Sequence, residues 1–126
     1  MTVFLDLDDL LALARVLGVD AIRDVGLLGS AAARPAITAF GQDAYDDVVT
    51  KAAALLHSIV TSHPLDDGNK RLGWLAAATF LELNGASVLA APNDAAVDLV
   101  VRVAEGRRDV PAIATALRRW IATSRG

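Results

Sequence analysis

The chain has 126 residues, 54% hydrophobic but only 5% aromatic, with 21% charged and a formal net charge of −3, which fits one compact soluble domain over residues 1–126. With no cysteine, thiol catalysis, cysteine-bound zinc and redox switching are excluded, and a reducing cytosol suits the composition. Residues 1–50 hold three Arg against eight Asp, while residues 51–126 hold nine basic against seven acidic groups, which argues against general nucleic-acid binding and for one local anion site.

Met1-Thr2-Val3-Phe4 shows no basic-then-apolar leader pattern, and no apolar run nears the ~18 residues of a membrane span, so neither secretion nor insertion is expected. Roughly a fifth of the residues are alanine, so helix is the default expectation. Asp6 is placed to cap a first helix, with Asp9 as the acidic partner of a capping box. Its stripe runs Leu10, Leu13, Ala14, Leu17, and Gly18 ends it. A short helix is expected from Gly26 to Ala33, stopped by Arg34-Pro35. Ile37 to Tyr45, with Gly41, reads as a loop or a short extended flap.

From Asp47 to Thr61, Val48, Ala52, Leu55, Leu56, Ile59 and Val60 keep the helical period and leave Lys51 and Ser58 on other faces. The pattern breaks at Ser62 to Gly68. A second strong helix is expected over Asn69 to Leu83, closed by Asn84-Gly85, with Leu72, Leu75, Ala76, Thr79, Phe80 and Leu83 on its buried face. Ala77 and Ala78 keep its other faces almost uncharged, which makes it the expected central, buried helix. Ser87 to Ala91 reads as an extended link. Two amphipathic helices follow, Asp94 to Glu105 and Pro111 to Thr123, the second capped by Asp109. The fold class is therefore all-α, a compact bundle around a central buried helix with a short flap.

One stretch concentrates chemistry: His63-Pro64-Leu65-Asp66-Asp67-Gly68-Asn69-Lys70-Arg71. The second strong helix starts here, so free backbone N–H groups and the positive end of its dipole favour an anion at the loop mouth. Gly68 lets the backbone approach a phosphate, Asn69 offers an amide, and Lys70 and Arg71 bring positive charge. Asp66 or Asp67 can hold Mg²⁺ bridging phosphate oxygens. His63 is the one side chain in the loop with an ordinary pKa suited to proton transfer near neutrality. The bland reading is an ordinary interhelix turn in which an Asp caps the next helix and the cations face solvent. His57 reads as a surface or packing residue, and Trp74 and Trp120 as core or interface aromatics.

The loop resembles the signature of the Fic/Doc superfamily, whose Fic branch reads roughly H-P-F-x-[DE]-G-N-G-R and whose Doc branch carries N-K-R in place of N-G-R. Arg23-Asp24, Gly26-Leu27-Leu28, Ser30-Ala31, Ala33-Arg34-Pro35, Lys51-Ala52-Ala53, Phe80-Leu81-Glu82, Asn84-Gly85 and Ala104-Glu105-Gly106 are also similar to Doc-type sequence. The resemblance covers about Ile22 to Arg107. It implies an all-α Fic fold and a Doc (death on curing) type toxin paired with a Phd-like antitoxin. Such toxins use ATP and Mg²⁺ to phosphorylate a threonine of elongation factor Tu and arrest translation, whereas Fic relatives transfer AMP. By position, the resemblance makes His63 the general base, Asp67 the magnesium ligand, and Gly68, Asn69, Lys70 and Arg71 the anion pocket. Leu65 replaces the usual Phe. Lys70 fills the place of the Fic glycine, and Trp74 stands where Fic proteins carry a second Arg, which disfavours AMP transfer and favours a kinase in which Lys70 and Arg71 stabilise transition-state charge.

Fic proteins restrained in cis carry [ST]-x-x-x-E-[GN]. Neither Glu82 nor Glu105 has Ser or Thr four positions before it, so restraint is expected from another chain. Val97, Val101 or the Leu27-Leu28 pair are candidates to line its groove, and Ile37 to Gly41 to pair with the target segment. The rival expectations are Fic-type nucleotidyl transfer and a non-enzymatic module that binds an anion or a partner.

Overall fold

A computed structural model describes residues 1–19 and 21–123. Six helices carry the fold: α1 (Leu7–Val16), α2 (Val25–Ala33), α3 (Val48–Ser62), α4 (Asn69–Leu83), α5 (Asn93–Ala104) and α6 (Val110–Trp120). A 3-10 turn, Arg34–Ala36, follows α2. Two small antiparallel pairs complete the described residues, β1 (Thr38–Ala39) with β2 (Gln42–Asp43), and β3 (Ala86–Ser87) with β4 (Ala122–Thr123). The all-α expectation holds, and no described helix is long and apolar enough to cross a membrane.

Local signals set most boundaries. Asp6 and Asp9 form the reciprocal capping box of α1, and Asp24, Asp47 and Asp109 each accept a first-turn N–H from α2, α3 and α6. Asp47 also takes Arg118 of α6 at 2.8 Å. Partial burial opposes its ionisation, but the bonds from Thr50 and Arg118 outweigh this and hold its carboxyl below the usual value.

Long-range packing decides the rest. The central element is α3 and not α4 as expected: α3 packs against α2, the 3-10 turn, α4, α5 and α6. Its residues 51–56 are all buried, Lys51 included at 3% exposure, so this helix has no polar face over that stretch. The expectation that Lys51 sits away from the core is therefore corrected. Its ammonium donates to Asp43 at 3.1 Å and to the Tyr45 carbonyl, fastening the hairpin onto α3.

On α4 the buried set is Leu72, Gly73, Ala76, Ala77, Phe80 and Leu81. Leu83, expected on that face, is half exposed at 50%. The stripe is rotated because α4 lies close along α3. A Cβ added at Gly73 would stand 2.6 Å from the Val60 side chain and 3.5 Å from the Leu56 carbonyl. Helix α6 stops at Trp120 rather than Thr123, since Ala122–Thr123 leave it to pair with Ala86–Ser87.

The expected flap is a hairpin. Phe40 and Gly41 both have positive φ, 55° and 78°, the two-residue turn that suits the twist of such a ribbon. Phe40 is fully exposed at its tip.

Candidate active site

Residues 63–68 join α3 to α4. At the entrance His63 takes left-handed backbone, φ 53° and ψ 58°, in the place glycine usually holds where a helix ends. That costs a residue with a side chain roughly 1 kcal/mol, and the imidazole is left exposed. Arg23 stabilises this geometry from 40 residues away. Its Nε donates to the His63 carbonyl at 2.8 Å, and a terminal nitrogen donates to the same carbonyl and to that of Ser62 at 3.2 Å. The guanidinium thus satisfies the last carbonyls of α3 and meets the negative end of its dipole.

The loop is held along its length as well. The N–H groups of Arg23 and Asp24 donate to the Pro64 carbonyl at 2.9 and 3.0 Å, the Asp66 N–H donates to Ala21 at 3.3 Å, and Ile22 bridges Leu65 antiparallel. Leu65 is buried, as its apolar character predicts. No local sequence pattern marks an element at residues 21–24 or a role for Arg23. The one available signal was that Arg23-Asp24 belongs to the resembling stretch.

At the exit, Asn69 turns its carboxamide back onto the loop, accepting from the Leu65 N–H at 2.9 Å and donating to its carbonyl at 3.0 Å. Its amide therefore braces the loop, and what it presents at the mouth is its backbone N–H. Gly68 precedes it with φ 90°, and a Cβ there would meet the Val19 side chain at 2.9 Å and the Arg71 guanidinium at 3.2 Å. Both the backbone angle and the space require glycine.

Helices α1, α2, α3 and α6 begin with a capping Asp, whereas α4, preceded by Gly68, and α5, preceded by Pro92, have no side-chain cap. Asp66 and Asp67 do not cap α4, so that part of the ordinary-turn reading is not met, while Lys70 and Arg71 face solvent as it expects. Among the described residues their exposed carboxylates make no hydrogen bond or ion pair, and Lys70 and Arg71 have no acidic partner. Asp66, Asp67 and Arg71 border a small hollow of about 170 Å³ together with Gly18, Val19 and Ala21. Among the described residues no three His, Cys, Asp or Glu side chains converge as a metal cage. The two free carboxylates, Asp66 and Asp67, beside an open helix N-terminus would suit Mg²⁺, which is bound by one or two carboxylates together with substrate phosphates.

His57 lies outside this arrangement. Arg34 donates to its Nδ1 at 2.8 Å and to the Tyr45 hydroxyl at 3.0 Å, so the imidazole ties the base of the hairpin to α3. Burial first, and the Arg34 charge second, lower its pKa, with Asp109 opposing. Trp74 packs edge-on against Trp120 at 6.1 Å.

Residues 4–81 match the model of the Fic/DOC family. The chain belongs to the Fic/DOC family. It is also 43% identical over 127 residues, covering 98% of each chain, to Toxin Doc of Mycolicibacterium smegmatis (strain ATCC 700084 / mc(2)155). The six-helix architecture is accordingly a Fic fold. Within this Fic/DOC chain, His63 and the start of α4 stand at opposite ends of one braced loop. Val97 and Val101 border a larger groove of about 440 Å³ between α4 and α5 that reaches Lys70 and Arg71. Leu28 is fully buried in the core and lines no groove, while Leu27 is half-buried.

Proposed function

We propose that this protein is a Doc-type toxin, a kinase that transfers the γ-phosphate of ATP to a threonine hydroxyl of elongation factor Tu and so arrests translation. The observation that carries the reading is the uncapped N-terminus of α4, with two cations in its first turn that have no acidic partner among the described residues and His63 at the other end of the same loop. Open N–H groups of Asn69, Lys70 and Arg71 receive the oxygens of the transferred phosphoryl group. His63 accepts the proton of the incoming hydroxyl as its oxygen bonds to the γ-phosphorus. The bond from that phosphorus to the bridging oxygen breaks, and ADP leaves with Lys70 and Arg71 balancing its charge. Asp67 is the carboxylate that holds Mg²⁺, whose charge neutralises phosphate oxygens when bound.

The hairpin Thr38–Asp43 offers exposed strand edges on which an extended target segment can pair. A Phd-like antitoxin restrains the enzyme in trans, in keeping with the absence of an inhibitory [ST]-x-x-x-E-[GN] helix in the chain.

The test is incubation of the protein and elongation factor Tu with Mg²⁺ and either α-labelled or γ-labelled ATP. Only the γ label is expected on the target, and His63→Ala is expected to slow transfer by ~10²-fold or more. Appearance of the α label assigns nucleotidyl transfer instead. A His63→Ala protein that keeps full toxicity, with no label transferred by the parent, assigns a non-enzymatic binding module.

A further inference from the structure

The hairpin keeps its place on the molecule without a hydrophobic anchor. Every side chain from Ala36 to Ala44 is exposed, and a ribbon of two residue pairs, Thr38 with Asp43 and Ala39 with Gln42, is marginal in water by itself. Its base is closed by the Ala44 N–H, which donates to the Ile37 carbonyl at 2.9 Å. Polar contacts with α3 fix its direction. Lys51, buried at 3% exposure, donates to Asp43 at 3.1 Å and to the Tyr45 carbonyl. Arg34, in the 3-10 turn that leads into the hairpin, donates to the His57 Nδ1 at 2.8 Å and to the Tyr45 hydroxyl at 3.0 Å, with its guanidinium 5.8 Å from the centre of the Tyr45 ring. Both ends of the ribbon are therefore tied to one helix, at Arg34 before β1 and at Asp43 and Tyr45 in and after β2.

Lys51, His57 and His63 follow one another at intervals of six residues along α3 and its C-cap, ~9 Å of helix for each interval. The same rigid element thus carries the hairpin's two fastenings and, at its end, the imidazole. On an extended segment a slip of one residue moves a hydroxyl by about 3.3 Å and turns it to the opposite face, so the direction of a pairing edge decides whether that hydroxyl arrives. Resting on the reading of Thr38–Asp43 as the docking edge for the target, we propose that Lys51 and Arg34 are positioning residues for the protein substrate: acting through the hairpin, they hold its free edge in the placement that brings a hydroxyl to His63. Neither borders the hollow or the groove that reach Arg71, so nucleotide binding does not depend on them. Released from either fastening, the hairpin samples other placements, and apparent affinity for the target falls by the fraction of time spent in the competent one.

Steady-state kinetics of the intact protein with Mg-ATP and elongation factor Tu, beside calorimetry with Mg-ATP, test the assignment. Lys51→Met, which keeps a buried stem without its charge, and Arg34→Gln are each expected to raise KM for the target about 10-fold, with kcat at saturating target and ATP affinity within about 2-fold of the parent. Arg34→Lys, which keeps a donor, is expected to recover part of the loss. Arg34 is only half-buried, so its variants keep the test decisive if Lys51→Met fails to fold. Variants that retain the parent's KM for the target overturn the positioning role while sparing the kinase reading. Loss of target and ATP affinity together does the same, because it marks a merely structural role. A parent that transfers no phosphoryl group to the target overturns both readings.

Discussion

Arg23 holds the backbone of His63 where an unconstrained histidine would rarely stay. A left-handed C-terminal residue points its carbonyl outward, and Arg23 covers that carbonyl with two donors. The side chain thus acts on the imidazole by positioning. On the proposed phosphoryl transfer, Arg23→Ala is expected to lower kcat about 10-fold with little change in KM for ATP, Arg23→Lys to restore part of it, and added guanidinium to rescue the alanine variant. A purely structural role would move the melting temperature and give no rescue. Glycine at 68 was readable from sequence as a turn residue, but the reason no other residue fits is Val19, 49 positions away. The Asn69 amide, read as an anion ligand, is bonded to Leu65, because a carboxamide four residues on can close both backbone groups of a loop residue at once.

At the level of elements, the hairpin is fastened by groups that a period-based reading sends to the surface. Lys51 breaks no helical pattern, yet Asp43 of β2 and the Tyr45 carbonyl just beyond it accept from its ammonium, so the buried charge is paired and hydrogen-bonded. His57 was readable as a packing residue, though its partners were not. Arginine has only donors, so the His57 Nδ1 must accept from Arg34 and the ring is neutral with its proton on Nε2. Protonation breaks that bond and sets two cations together. With the folded pKa lowered, the unfolded chain binds the proton more readily. This contribution to stability is complete above the ordinary histidine value of about 6.5 and is lost as pH falls through the depressed folded value. Urea midpoints are expected to fall between about pH 7 and pH 5, and His57→Gln to flatten that slope. Hydrogen exchange should place the loss at Thr38–Asp43.

Across the molecule, the approach of α4 to α3 sets the geometry of the loop between them. Gly73, on propensity alone, costs about 1 kcal/mol against alanine in a helix. In place it is what lets α4 reach Val60 and the Leu56 backbone. Gly73→Ala is therefore expected to destabilise the fold by about 1–3 kcal/mol through overpacking, seen as a lower melting temperature. A rise, as propensity predicts, would show that the two helices can part without loss. Sequence by itself determined the helical class, the Asp caps of α1 and α6, the span of α4, and the loop that gathers His63 with Asp67 and Lys70. These rest on preferences acting within a turn or two of chain, where residue type is enough. Tertiary structure alone decided that Asp66 and Asp67 leave α4 uncapped, that Arg23 grips the end of α3, that Lys51 is buried and that Trp74 borders a groove. Each depends on which distant segments lie side by side, and that follows from packing the whole core.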